Sequence, residues 1–308
     1  MYQKISGKKT GGLTKRGRTP FLLSLPFVLF FIVFSYLPLA GWIIGFFNYK
    51  PGLNLLDCEF VGLKYFMEIF KDWRQTSIVL RNTLVLSGLN LLFSWVPMIF
   101  AIMLNEIRSN KVRKFVQTAT TLPNFVSWII VYGIAFAIFS NEGIVNNLLT
   151  KIGILNTGVN VLGNEKIAWW FQTALSMWKN LGWSAIIYIA AVAGISQELY
   201  DAARVDGAGR LAEIRHITLP GLLPTYFVLL LLSISNILSN GFDQYFAFSN
   251  PMVSSKLNVL DVYVYNLGIG QNLYSYSTVV GMSKSLISVL LLVGANWMSK
   301  KIRKESIF

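Results

Sequence analysis

The sequence predicts an all-α membrane protein with six transmembrane helices, and three observations carry that prediction. Of its 308 residues, 54% are hydrophobic and only 13% are charged, about half the ~25% charged share of a soluble domain. Six apolar stretches each reach the ~20 residues that a bilayer-crossing helix needs. Lys and Arg fall in short blocks between those stretches, the pattern that orients helices in a membrane. A helix is the expected form of each stretch, because it satisfies its own backbone polar groups where no water can.

The stretches cover residues 21–47, 78–104, 119–139, 168–194, 222–248 and 278–298. The first is too long for the apolar core of a signal peptide, and no small-residue cleavage site follows it, so it reads as a retained helix. Residues 4–18, 108–114, 204–215 and 300–304 hold 17 of the 27 Lys and Arg. Placing these blocks on the cytoplasmic side puts both termini inside. Residues 48–77, 141–166 and 249–277 then face outward. The first outer loop contains a short amphipathic helix at residues 65–70, and the second a small lateral helix near residues 144–152. The chain thus divides into a basic N-terminal segment (1–20), a transmembrane domain (21–299) and a short cytoplasmic tail (300–308).

The formal net charge of +13 does not point to nucleic acid, because the basic residues flank apolar spans instead of forming one patch. Cys58 and His216 are the sole residues of their kinds. They exclude a disulfide framework and any metal site built from several Cys or His. His216 reads as a solvated or interfacial histidine. No Gly-x-x-x-x-Gly-Lys-[Ser/Thr] loop is present to cradle a nucleotide. There is no inverted repeat of the kind that marks many secondary carriers.

The segment Ser196–Pro220 is the most informative part of the chain. Ser196 can cap a helix whose first turns carry Glu198 and Asp201, acids suited to its positive end. Leu199, Ala202 and Ala203 form a small, shallow apolar face. Gly207 and Gly209 permit a turn. Asp206 is then expected to cap a second short helix from Ala208 to Ile217. Leu219-Pro220 is expected to end it, since the residue before proline avoids the α region. On these residues alone, a docking element for a cytoplasmic partner and a loop resting on lipid headgroups are both open.

The residue order of this segment resembles the EAA loop of bacterial ABC-importer permeases. That pattern runs Glu-Ala-Ala, three residues, Gly, nine residues, Ile, one residue, Leu-Pro. Here Asp201-Ala202-Ala203, Gly207, Ile217 and Leu219-Pro220 stand at the same spacing. Asp201 departs from the usual Glu but keeps its charge. Further stretches resemble the carbohydrate-importer, LplB-like branch. They are Trp178-Lys179-Asn180-Leu181-Gly182-Trp183, Gly241-Phe242-Asp243-Gln244, Asn250-Pro251, Asp261-Val262-Tyr263-Val264-Tyr265, Gly281-Met282, Lys284-Ser285 and Gly294-Ala295-Asn296-Trp297. The resemblance implies a type I importer (MetI-like/MalF-like) permease fold. It also implies a second permease chain, two ATPase subunits that bind the ATP and Mg, and an extracytoplasmic solute-binding protein. The chain itself would be non-catalytic, in a bacterial cytoplasmic membrane, and would pass oligosaccharides or polysaccharide fragments. Residues 196–220 would be the coupling element, with Asp201, Ala202, Ala203, Asp206, Gly207, Ile217, Leu219 and Pro220 as its key positions.

The expected substrate path is drawn from polar residues inside apolar spans. Lys179 lies about 22 Å from the inner end of its span at 1.5 Å per residue, and intramembrane charges usually face water or protein. The other reading is snorkelling to the outer interface. Asn236, Asn240 and Asp243 are spaced as one helical face, which suits either a water-filled path or an interhelical hydrogen-bond seam. Trp178, Asn180, Trp183 and Gln244 complete the expected set, and Lys179 is expected to meet Asp243. Asn82, Asn90 and Asn124 have no role assigned by sequence. Two rival functions are an ion-coupled secondary sugar carrier, which would need intramembrane carboxylates to relay charge, and a membrane-bound sugar-modifying enzyme, which would need converging acids. Asp243 is the one carboxylate suited to the first, and no acids converge for the second.

Overall fold

The structure, a computed structural model, describes residues 15–154 and 158–303. Most of the basic N-terminal segment and residues 304–308 of the expected tail lie outside the described residues. Among the described residues every regular element is helical, and strand pairing is limited to one antiparallel bridge between Phe47 and Phe60.

Helix α1 (Lys15–Phe31) passes through a π-helical turn (Ile32–Tyr36) into a 3-10 segment (Leu37–Phe46). Pro38 sits at the start of that segment, where its missing N–H interrupts the i→i−4 ladder. After a short α2 (Lys64–Lys71), helices α3 (Trp73–Leu92) and α4 (Val96–Asn105) form one apolar span of 33 residues. That is longer than the expected 78–104. It carries a break at residues 93–95 just before Pro97.

The expected third span is not one helix. Helix α5 (Asn110–Thr121) begins inside the basic block, a 3-10 turn (Leu122–Phe125) interrupts it, and α6 (Trp128–Phe139) resumes. Pro123 lies in the interruption, and Ser109 and Ser127 cap the two halves through their hydroxyls. Helix α7 (Ile144–Lys151) stands at the residues of the expected small helix, but it belongs with α6 to one apolar span, Trp128–Lys151, instead of lying apart as a lateral element. Helix α8 (Ala168–Ala193) is followed by α9 (Gln197–Val205), with the axis bent by 67° at the break. Counting that bent pair as one, six spans are apolar and long enough to cross a bilayer.

Helix α10 (Arg210–Glu213), a π-helical turn (Ile214–Thr218) and α11 (Leu219–Ser235) form a continuous span. The expected fifth span, however, stops at Ser235 instead of residue 248. A turn containing Gly241 at φ +89° then leads to α12 (Asp243–Ala247), α13 (Ser254–Leu257) and α14 (Leu260–Tyr265). The last helix, α15 (Tyr274–Arg303), has 30 residues, about 45 Å at 1.5 Å per residue.

Packing is organised around α8. Gly182 lets the end of α5 approach so closely that a β-carbon there would sit 2.4 Å from the Thr120 carbonyl carbon and oxygen. Small residues serve this purpose between membrane helices, where van der Waals contact replaces the hydrophobic effect. Three apolar clusters fill the bundle. Met98, Ala101, Ala185, Tyr188 and Leu222 join α4, α8 and α11. Leu86, Val131, Tyr245, Phe248 and Val262 join α3, α6, α12 and α14. Val79, Leu260, Tyr263 and Val280 join α3, α14 and α15.

Candidate functional site

The segment after α8 is a helix–turn–helix held as one body. Ser196 Oγ accepts from the Glu198 amide at 3.3 Å, starting α9. The helix ends in a Schellman motif, in which the Ala208 amide donates to the Ala203 carbonyl at 2.8 Å and the Gly207 amide to the Arg204 carbonyl at 3.1 Å. Gly207 takes φ +81°, the left-handed conformation that this closure needs. Asp206 closes α9 and does not cap the next helix; Gly209 takes that place. The Schellman closure takes up Asp206, so the cap moves three residues on to Gly209 and the second helix starts at Arg210, two residues later than expected.

Pro220 also departs from its expected part. It does not end the second helix but sits in the first turn of α11, directly after the π-helical turn. A π turn shifts backbone bonding from i→i−4 to i→i−5, so the helix passes a residue that has no N–H. The loop is therefore continuous with α11.

Two contacts tie its arms together. Tyr200 and Thr218 share a hydroxyl hydrogen bond of 3.0 Å. Arg204 Nε donates to Glu213 Oε1 at 3.0 Å, with the Glu213 side chain 11% exposed. Asp201 meets Arg204 at 3.4 Å, but its side chain is 63% exposed, so this pair adds little. Ile217 and Leu219 are half-buried, and Leu219 packs on the Met98 cluster. Leu199, Val205 and Leu211 are exposed apolar residues, and Ala202 is exposed beside them. This chain leaves that face of α9 uncovered.

A cavity of about 490 Å³ opens deeper in the bundle, between α3, α4, α8 and α11. Asn90, Ser94, Ser176, Asn180, Trp183, Ser184, Tyr188, Tyr226, Ser233 and Asn236 contribute to its wall. Three of the expected path residues are therefore brought together here: Asn180, Trp183 and Asn236. The others are not. Lys179 is 6% exposed and is absent from the wall. Its Nζ donates to the Asn124 carbonyl at 2.7 Å and lies 5.3 Å from the Trp128 ring centroid. Successive helical residues are turned by about 100°, so Asn180 reaches the cavity while Lys179 points at the broken third span. Asn124 Nδ2 donates in turn to Asn180 Oδ1 at 3.0 Å. The expected pairing of Lys179 with Asp243 does not occur, and Lys179 instead satisfies a carbonyl that the Pro123 break exposes.

Trp178 lines a separate apolar cavity with Val131, Ile134 and Leu175. Asn236, Asn240 and Asp243 do not share a helical face, because α11 ends before them. Asn240 Nδ2 donates to Ser87 Oγ at 2.9 Å and to the Thr83 carbonyl at 3.3 Å, which makes it part of an interhelical seam. Gln244 is buried and donates to Gln172 at 2.9 Å. Asp243 is exposed at the start of α12. Asn82 donates to the Ser255 and Asn258 carbonyls at 3.0 and 3.2 Å.

Sequence reasoning missed a polar centre between α14 and α15. Lys284 forms an ion pair with Asp261, and both side chains are under one-fifth exposed. Asp261 Oδ2 also accepts from the Gly241 amide at 3.1 Å. The pair opens on a cavity of about 410 Å³ that shares Asn236 with the first. The signal was available: Lys284 stands alone in the apolar last span, and the depth argument applied to Lys179 holds equally for it.

Residues 94–304 match the family described as binding-protein-dependent transport system inner membrane component. The chain is 40% identical over 299 residues to Protein LplB of Bacillus subtilis (strain 168), covering 96% of this chain and 92% of that one. It is 39% identical to the polygalacturonan/rhamnogalacturonan transport system permease protein YteP of the same organism, covering 94% and 89%. A chain of the bacterial alginate ABC transporter, solved in complex with an alginate pentasaccharide-bound periplasmic protein, superposes with a TM-score of 0.84 at 33% identity, covering 95% and 97%. The helical order, the broken spans and the closed loop after α8 are thus those of a type I ABC importer permease, and the chain belongs to the binding-protein-dependent transport system inner membrane components.

Proposed function

We propose that this chain forms half of the translocation path of an ATP-driven importer for oligosaccharides or polysaccharide fragments, and that residues 196–220 receive the force. The observation that carries this reading is the loop's construction. Arg204–Glu213 and Tyr200–Thr218 clamp α9 to the base of α11, and α11 lines the 490 Å³ cavity. A displacement of α9 is therefore passed to the cavity wall as rigid-body motion. The exposed face of Leu199, Ala202 and Val205 suits a groove on an ATPase subunit, which holds the ATP and Mg. A second, similar permease closes the open side of the cavity. A loaded solute-binding protein delivers sugar on the opposite face; the alginate transporter was solved in complex with an alginate pentasaccharide-bound periplasmic protein. Both termini then lie in the cytoplasm of a bacterial cell. Pumping requires that sugar affinity differ between the outward and inward states.

Binding-protein-stimulated ATPase and uptake in proteoliposomes test the reading with Gly207→Leu. Left-handed backbone costs an ordinary residue about 1–2 kcal/mol, and the Schellman closure must open to relieve it. We expect basal ATP hydrolysis to persist while stimulation and uptake fall at least about tenfold. Wild-type stimulation and uptake in a variant that folds would refute the assignment of the loop.

A further inference from the structure

We propose that the half of the path built by this chain is selective for uncharged oligosaccharides and disfavours uronates. This rests on the reading that the 490 Å³ cavity is the sugar's route.

The polar groups of that wall are amides and hydroxyls, among them Asn90, Ser94, Asn180, Ser184, Tyr226 and Asn236, and none of the wall residues is Lys, Arg, His, Asp or Glu. The Asn90 amide has no hydrogen-bond partner among the described residues, so its donors and acceptor are open to a sugar hydroxyl. The rings of Trp183 and Tyr226 offer apolar surface to the faces of pyranoses.

Three intramembrane cations are engaged elsewhere, the first being Arg81 of α3, which donates to the Ser255 carbonyl at 3.1 Å. Lys179 is turned away from the cavity and bonded to the Asn124 carbonyl. Lys284 opens on the adjoining cavity, but Asp261 neutralises it. A neutral sugar entering this space exchanges water for amides and hydroxyls of equal hydrogen-bonding capacity. A uronate carboxylate loses its hydration shell and meets no free positive charge, so its desolvation is uncompensated. YteP is named for polygalacturonan and the structural neighbour for the acidic polysaccharide alginate; for this chain the inference expects the opposite preference.

The sign of an added charge tests the inference with one binding protein throughout, so differences between variants arise in the permease. Ser233 is exposed on the cavity wall of α11, so Ser233→Lys and Ser233→Asp place opposite charges at one point, with Ser233→Gln as the size control. The complete importer, with its second permease, ATPases and binding protein, is reconstituted in proteoliposomes. Uptake of labelled neutral and uronate tetrasaccharides is then measured. We expect the wild type to move neutral sugar at least about tenfold faster than uronate. We expect Ser233→Lys and Ser233→Asp to reduce uptake of neutral sugar below Ser233→Gln and to agree within about threefold, while uronate uptake is at least about threefold higher in Ser233→Lys than in Ser233→Asp. Faster uronate uptake by the wild type, a Lys/Asp difference in neutral uptake beyond that range, equal uronate uptake by the two charged variants, or neutral uptake in both that matches Ser233→Gln would overturn the proposal and leave the oligosaccharide reading standing. Uptake of neither sugar by an importer with stimulated ATPase would remove the oligosaccharide reading as well.

Discussion

Gly182→Ala adds one methyl group to α8 and is expected to be among the most damaging single changes in the bundle. The new β-carbon would lie 2.4 Å from the Thr120 carbonyl carbon and oxygen and 2.6 Å from the Thr121 nitrogen. Ordinary carbon contacts begin near ~3.5 Å, so the end of α5 must retreat by roughly 1 Å. All three opposing atoms are backbone, so no side-chain rotamer can relieve the contact. Overpacking of this kind costs typically ~1–3 kcal/mol and occasionally more. Backbone placement argues for the upper part of that range. The retreat also moves the Pro123 break on which Lys179 and Asn180 are anchored. Gly88→Ala is the control, since its β-carbon meets nothing within 4 Å, and Ala in a helix interior is favoured over Gly by about 0.5–1 kcal/mol. Thermal unfolding in nanodiscs, followed by tryptophan fluorescence, should therefore show opposite shifts for the same chemical change. At roughly 2–4 °C per kcal/mol for chains of 150–250 residues, Gly182→Ala should fall by several degrees while Gly88→Ala holds or rises. A Gly182→Ala midpoint equal to wild type would refute the packing argument.

The Asp261–Lys284 pair should show strong non-additivity. Asp261→Asn or Lys284→Met alone leaves a partly buried charge unpaired, at about 3–5 kcal/mol, and the double variant should recover most of that loss; additive losses in a thermal double-mutant cycle would mean that the two do not act as a pair. Topology is checked by Ser109→Cys in a Cys58→Ser background. Ser109 caps α5 within the basic block, so an impermeant maleimide should leave it unlabelled in intact cells and label it after permeabilisation. Labelling in intact cells would invert the orientation.

Much of the bundle was legible in the chain because a bilayer imposes length and apolarity on each span. Six apolar spans stand near where hydropathy puts them, but the third is broken at Pro123 and the fifth runs from Arg210 to Ser235 instead of over residues 222–248. The loop after α8 was legible for a different reason. Capping, glycine and proline chemistry act over a few residues, so Ser196, Gly207 and the helix between them stand in the structure as the sequence implies. Two local readings failed, the Asp206 cap and the Pro220 stop, because the Schellman closure takes up Asp206 and a π turn carries the helix past Pro220; the other errors fall where long-range packing outweighs local pattern. The seven-residue spacing of Asn236, Asn240 and Asp243 suggests one face, yet α11 ends at Ser235 because the Gly241 turn and the Asp261 acceptor hold the chain elsewhere.

Composition, spacing and charge blocks alone determined the helical class, the span count and the capped helix–turn after the fourth span, because each follows from short-range chemistry or from the solvent. Only the tertiary structure decided which polar residues face the cavity. Lys179 and Asn180 are neighbours in sequence with similar polarity, and a 100° turn of the helix sends one to a broken span's carbonyl and the other to the cavity. The partner of Lys284 was equally hidden. Asp261 lies 23 residues away, and nothing local in either segment specifies that α14 folds back beside α15 to pair them.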